Sequence, residues 1–176
     1  MIKVIRKATL NDIQSCAKLL EIAFPHAYTV DEAMTEIEEL VNNQVVLVYD
    51  LENTVVGFIG AIEQYKGFTY ELHPLVVDKA YQYQGIGKQL VDALEQSLVS
   101  RGIYNVYLGT DDEFFQTSLS DKPIDGDLFE SIKTIKNYRK HPYEFYLKQG
   151  FKIVGVIPDA NGECKPDIIM AKKLKR

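Results

Sequence analysis

The sequence predicts a mixed α/β fold in which neighbouring strands are joined by tight turns as well as by helices. Three observations predict it. Two β-branched and aromatic runs, 44–49 and 54–65, are separated only by Asp50-Leu51-Glu52-Asn53, the pattern of a hairpin. An apolar stretch ending in Leu75-Val76-Val77 runs through a glycine-containing turn into Leu90, Val91, Leu94 and Leu98, which repeat with helical spacing. The resulting element order, β-α-α-β-β-β-α-β-α-α-β-β, lacks the crossover helices that a purely doubly wound sheet needs between its strands.

The elements follow in order. Ile2 and Val4, with flanking charges, begin a strand. Thr9, three residues before Asp12, resembles a capping pair opening a helix to about Ala23, with Leu10, Ile13, Ala17 and Leu20 as its apolar face. Pro25 and Tyr28 make a connection. Residues 31–43 then form a second helix with Met34, Ile37 and Val41 on one stripe. After the hairpin and a turn at Lys66-Gly67, a strand over 69–77 is interrupted by Pro74, which cannot donate a ladder hydrogen bond and implies a bulge.

A helix over 85–100, a strand over 103–108 and a polar, acidic loop over 109–126 come next. Residues 128–137 are expected to be helical. A short helix over 143–149 follows His141-Pro142 and is closed by Gly150, and strands over 151–157 and 167–174 complete the pattern. At 176 residues and 46% hydrophobic, the chain is read as one domain, 1–176.

The formal charge of −5, from 25 acidic and 20 basic residues, argues against a nucleic-acid partner and fits a cationic small substrate. The one basic cluster is Lys172-Lys173-Leu174-Lys175-Arg176. Cys16 and Cys164 have no metal-ligand or disulfide spacing, which implies no metal site and a reducing cytoplasm. The short, charged N-terminus is not expected to be a signal peptide, and no apolar run approaches membrane-spanning length.

The most informative motif is Gln82-Tyr83-Gln84-Gly85-Ile86-Gly87-Lys88, between strand and helix. Such a turn offers unpaired backbone N–H groups and the positive end of a helix dipole to an anion. Neither the dinucleotide-binding G-x-G-x-x-G nor the Walker G-x-x-x-x-G-K-[ST] is present.

Gln82, Gly85 and Gly87 match the [QR]-x-x-G-x-[GA] pyrophosphate loop, and the chain resembles the GNAT superfamily of acetyl-CoA-dependent N-acetyltransferases. Five further blocks resemble the aminoglycoside 6′-N-acetyltransferases: Gly57-Phe58-Ile59-Gly60-Ala61-Ile62, Glu71-Leu72-His73-Pro74-Leu75-Val76-Val77, Tyr107-Leu108-Gly109-Thr110-Asp111-Asp112, His141-Pro142-Tyr143-Glu144-Phe145-Tyr146 and Lys165-Pro166-Asp167-Ile168. The resemblance implies a mostly antiparallel sheet of about seven strands with a splayed pair and helices on both faces. It also implies direct attack of an amine on the thioester, without a covalent enzyme intermediate, and a homodimer.

The resemblance implies a coenzyme site at Leu75, Val76, Val77, Gln82, Tyr83, Gln84, Gly85, Ile86, Gly87, Lys88 and Tyr146, with backbone N–H groups around Leu75 and Val77 stabilising the oxyanion. Strand alternation independently puts Glu71, His73, Leu75 and Val77 on one face, making Glu71 the first candidate for handling the substrate ammonium and His73 the second. Tyr146 stands where the superfamily often carries a tyrosine near the coenzyme sulfur, whereas Tyr143 and Phe145 read as core aromatics. Asp111, Asp112 and Asp167 would form an acidic surface for a polyamine sugar. Phe24, Tyr70 and Ile169 occupy places where the family commonly has tryptophan, and Phe24, Tyr28 and Tyr70 are candidate acceptor contacts. Another amine, such as a polyamine, a peptide N-terminus or a lysine, and a non-catalytic acetyl-CoA-binding module are the alternatives.

Overall fold

A computed structural model describes residues 2–124 and 126–174. Asp125 of the acidic loop and Lys175 and Arg176 of the basic cluster lie outside the described residues, as does Met1. The chain divides into two compact units, one of residues 1–104 with the last three residues and one of Asn105–Lys173.

The first unit contains β1 (Lys3–Lys7), α1 (Ile13–Ala23), α2 (Val30–Asn43), β2 (Val45–Leu51), β3 (Thr54–Gln64), β4 (Thr69–Val77) and α3 (Ile86–Ser100). Its four strands pair antiparallel in chain order. Between β2 and β3, Glu52 and Asn53 both adopt left-handed backbone, as a two-residue turn matched to strand twist requires. Cys16, Leu20, Ile37, Val46, Val48, Phe58 and Val76 form the core beneath α1 and α2. Ile59, next to Phe58 and so on the opposite face, is just as buried, which leaves β3 covered on both sides.

The predicted apolar face of α1 needs correction at Leu10, which is 65% exposed. A single 3-10 turn, Leu10–Asp12, precedes the helix and rotates Leu10 away, so Cys16 and Leu19 join Ala17 and Leu20 in the core. The predicted pairing of Thr9 with Asp12 is present: the Thr9 N–H and hydroxyl both donate to Asp12 Oδ2. Arg6 adds a bidentate pair to the same carboxylate, 2.8 Å at each oxygen, and a bond to Asp50.

The Arg6 hydrogen bonds hold the Asp12 carboxyl at about 2, below its ordinary value, despite the opposing effect of burial. A carboxyl depressed in the folded state stabilises it above the unfolded pKa and loses that contribution as pH falls towards the folded one. Asp12→Asn should therefore cost on the order of 1 kcal/mol at pH 7, after allowance for solvent around Arg6, and the deficit should shrink between about pH 4 and pH 2. Urea midpoints across that range test this, and a pH-independent deficit refutes it.

The second unit contains β5 (Asn105–Asp111), α4 (Leu128–Lys133), α5 (Tyr143–Lys148), β6 (Lys152–Ile157) and β7 (Asp167–Lys173), with β7 antiparallel to both β5 and β6. β5 runs past the predicted end at 108, because β7 supplies partners through Gly109↔Ile169 and Asp111↔Asp167. The helix predicted over 128–137 stops at Lys133. Residues beyond it pair with the loop instead: Ser118 N–H donates to Lys136 O, Tyr138 N–H donates to Gln116 O, and Thr117 bridges Asn137.

Candidate active site

The glycine turn closes as expected. Gly85 is the N-cap of α3 at φ +80°, where a side chain is disfavoured, and Tyr83 is also left-handed at φ +61°. Two glutamine side chains set the turn from within, Gln82 Nε2 donating to Val77 O and Gln84 Nε2 to Ala80 O. Gln89 N–H makes an early helical bond to Gly85 O. By helix geometry, the N–H groups of Ile86, Gly87 and Lys88 point out of the helix start toward any ligand. The Ile86 side chain is buried and Lys88 Nζ pairs with Asp92, so both residues offer the turn their backbone. This donor set fits a pyrophosphate.

β4 alternates as predicted. Tyr70, Leu72, Pro74 and Val76 are buried, while Glu71, His73, Leu75 and Val77 are half-exposed. Tyr70, 8% exposed, is thus on the face opposite Glu71, and its predicted role as an acceptor contact is corrected to a core one. The predicted irregularity at Pro74 is a bulge: Ile59 pairs with Leu75 and Ala61 with Leu72, leaving His73 and Pro74 opposite Gly60 alone. Gly60 is required there, since a Cβ on it would meet His73 O at 2.3 Å.

A cleft of about 280 Å³ joins this strand to the turn, lined by Phe24 at the end of α1, by Leu75 and Val77, and by Gln82. Phe24 and Leu75 are thereby brought together. A second hollow, of about 420 Å³, was not foreseen; Tyr28, Asp31, Glu32, Thr35 and Glu36 line it. Glu36 Oε1 is 3.5 Å from His73 Nε2. Part of the signal was present in the sequence, for Glu32 and Glu36 are four residues apart and so share one face of α2. Burial, and then the Glu36 charge, raise the Tyr28 hydroxyl above its ordinary value, so Tyr28 enters the hollow as a neutral donor.

In the second unit Asp111 is exposed at the end of β5, opposite Asp167 on β7, and its Oδ1 accepts from Asn161 Nδ2. Asp167 packs where a Gly109 side chain would otherwise be, 2.5 Å from a Cβ built there. The expectation for Asp112 is overturned. It is fully buried, and its carboxylate accepts from Gln116 N–H, Thr117 N–H and Ser120 Oγ at 2.6, 2.8 and 2.6 Å, so it organises the loop and presents no surface to a substrate. Burial would raise its carboxyl, but these bonds outweigh burial and lower it.

Tyr146 is 9% exposed on α5 and meets Phe145 and Phe151 edge-on, with centroids 5.1 and 5.6 Å away. Burial raises its hydroxyl well above the ordinary range, so it stays protonated near neutrality, able to donate a hydrogen bond and not to act as a base. Tyr143 is a core aromatic as expected, at 4% exposure. Burial also pushes the Cys16 thiol up to about 12, which removes it as a nucleophile.

An α/β protein with this cradle beside an interrupted strand belongs to the class that binds a phosphate-bearing cosubstrate through backbone groups. The chain belongs to the GNAT acetyltransferase family: the model described as "Acetyltransferase (GNAT) family" matches residues 13–119. Three solved structures are similar along almost the whole chain. An aminoglycoside 6′-N-acetyltransferase complexed with coenzyme A is 41% identical, with 98% of each chain covered and a TM-score of 0.94. An aminoglycoside 6′-N-acetyltransferase from Enterococcus faecium is 40% identical, with 98% of each chain covered and a TM-score of 0.91. An aminoglycoside 6′-acetyltransferase type Ii is 37% identical, again with 98% of each covered, at 0.77. No curated protein matches the chain at a significant level. The family and these likenesses make the chain an acetyl-CoA-dependent N-acetyltransferase with the mixed α/β GNAT fold.

Proposed function

We propose that this chain, as a single acetyltransferase domain, transfers the acetyl group of acetyl-CoA directly to the 6′-amine of an aminoglycoside. The observation that carries the reading is the half-exposed face of β4, where His73, 3.5 Å from Glu36 in the wall of an acidic hollow, shares its face with Glu71 and with Leu75, which lines the cleft reaching Gln82 of the glycine turn. The likeness to three aminoglycoside acetyltransferases supports the acceptor class.

Bound acetyl-CoA supplies an activated thioester carbonyl. The backbone N–H groups of the 82–88 turn hold the pyrophosphate, and those around Leu75 and Val77 donate to the carbonyl oxygen as it becomes an oxyanion. Glu71, with Gln64 Nε2 donating to its Oε2, binds the ammonium or takes its proton through water, and His73 assists from the same face. Tyr146 donates to the departing thiolate. Phe24 and Tyr28 contact the acceptor, and Asp111 and Asp167 add charge for its further ammonium groups. The free cysteines support a cytoplasmic setting, and the exposed Val154 and Ile157 of β6 support a homodimer.

The test is release of free thiol from acetyl-CoA across a panel of kanamycin- and neomycin-like amines, polyamines and lysine peptides. Aminoglycosides should be turned over fastest; preference for lysine peptides sinks the acceptor assignment, and failure of every amine in the panel to release thiol sinks the proposed transfer. Tyr146→Phe should lower kcat about tenfold with coenzyme affinity kept, since one proton donor is lost while the ring packing remains. An unchanged kcat removes Tyr146 from the chemistry.

A further inference from the structure

His141 takes no part in that chemistry, yet it is 1% exposed and both its ring nitrogens are engaged. The backbone N–H of Tyr143 donates to Nδ1 at 3.2 Å. Nδ1 is therefore the acceptor, and the ring proton resides on Nε2, 3.0 Å from the carbonyl oxygen of Asp111. Burial lowers the imidazole's pKa, against the opposing pull of Asp111 and Asp112, which agrees with a neutral ring. The residue's backbone is clamped as well: His141 N–H donates to Asn137 Oδ1 at 2.8 Å, and Asn137 Nδ2 donates to His141 O at 3.0 Å.

One imidazole thus ties the end of β5, where Asp111 exposes its carboxylate, to the first residue of the helix that carries Tyr146. We propose that His141 is a positioning residue for acetyl transfer, fixing the Asp111 backbone so that its carboxylate faces the acceptor's ammonium. The proposal rests on the reading of Asp111 as an acceptor-binding group. Two independent elements converge on Asp111, for Asn161 holds the side chain while His141 holds the carbonyl. Burial requires both ring nitrogens to be satisfied, and because the two partners are backbone groups of separate elements, the ring links the end of β5 to the start of α5.

The test compares kcat and both KM values for His141→Asn and His141→Gln in the full chain, with an amine that the wild type turns over, alongside melting temperature. Asn keeps an acceptor near the Nδ1 position for Tyr143 N–H but is too short to reach Asp111, whereas the Gln amide can reach it. His141→Asn should raise the amine KM about tenfold and leave kcat and the acetyl-CoA KM within about twofold, while Gln brings the amine KM back to within about threefold of wild type. Lower melting temperatures with an unchanged amine KM, or equal rises in both KM values, overturn the proposal. Asp111→Asn separates the two ideas: no effect there on the amine KM removes Asp111 itself, while a raised KM there and none in His141→Asn removes only the strut. Should neither His141 variant fold, ring ¹⁵N resonances of the native protein decide. An Nε2–H tautomer whose Nε2 resonance moves on amine binding supports the proposal, and one that does not move refutes it.

Discussion

Replacing Gly87 by aspartate should weaken coenzyme A binding about 100-fold, equivalent to about 2.7 kcal/mol, while leaving the protein at least as stable as before. The two halves of that result come from the same place. Gly87 is the second residue of α3, where the first-turn N–H groups lack intrahelical acceptors and the dipole is positive. A carboxylate there satisfies the helix, and replacing glycine removes backbone entropy from the unfolded chain, so about 0.5–1 kcal/mol of stability is gained. It also occupies the donors that a pyrophosphate needs and repels its charge. Calorimetry with coenzyme A and a melt without it read the two effects separately. Equal affinity in the variant and the wild type would exclude the turn as the phosphate site.

The second large effect is expected at Gly60. Its Cα faces the two-residue bulge of β4, and an alanine Cβ would stand 2.3 Å from His73 O and 3.3 Å from Pro74 Cδ. The obstructing atom is backbone, so relief requires β4 to move where it carries His73 and Leu75. Gly60→Ala should cost about 2–3 kcal/mol in urea unfolding and lower turnover beyond the loss of folded protein. Gly57→Ala is the internal control, because its Cβ would lie 3.0 Å from Val76 O and the strand there keeps its register. Equal midpoints for the two variants would mean that the bulge yields freely.

Much of this site could be read from short-range pattern. Period-2 alternation placed Glu71, His73, Leu75 and Val77 together, Pro74 marked the bulge, and the glycine spacing marked the helix start. Each depends on the local backbone, which local sequence dictates. The errors arose where tertiary partners decide. Residues 134–137 carry a helix-compatible pattern, but the loop folded around Asp112 offers Gln116 and Ser118 as backbone partners to this stretch and to Tyr138 after it, and captures the chain. β5 lengthened because β7 lies alongside it. Asp112 reads as surface charge because a sequence displays the acid and not the three donors that converge on it. His141 was visible only as part of a motif, since its two partners lie on the backbone of other elements.

The hollow beside α2 is walled by the start of that helix, and its acids are not equivalent. Glu32 accepts the Thr29 N–H and hydroxyl and closes the capping box, so it can change only at the expense of the helix terminus. The Asp31 and Glu36 carboxylates carry no such duty towards the cap. On the proposed reading of the hollow as part of the acceptor site, its charge can change at 31 and 36 while 32 stays fixed, a route to diversify that leaves the helix terminus intact.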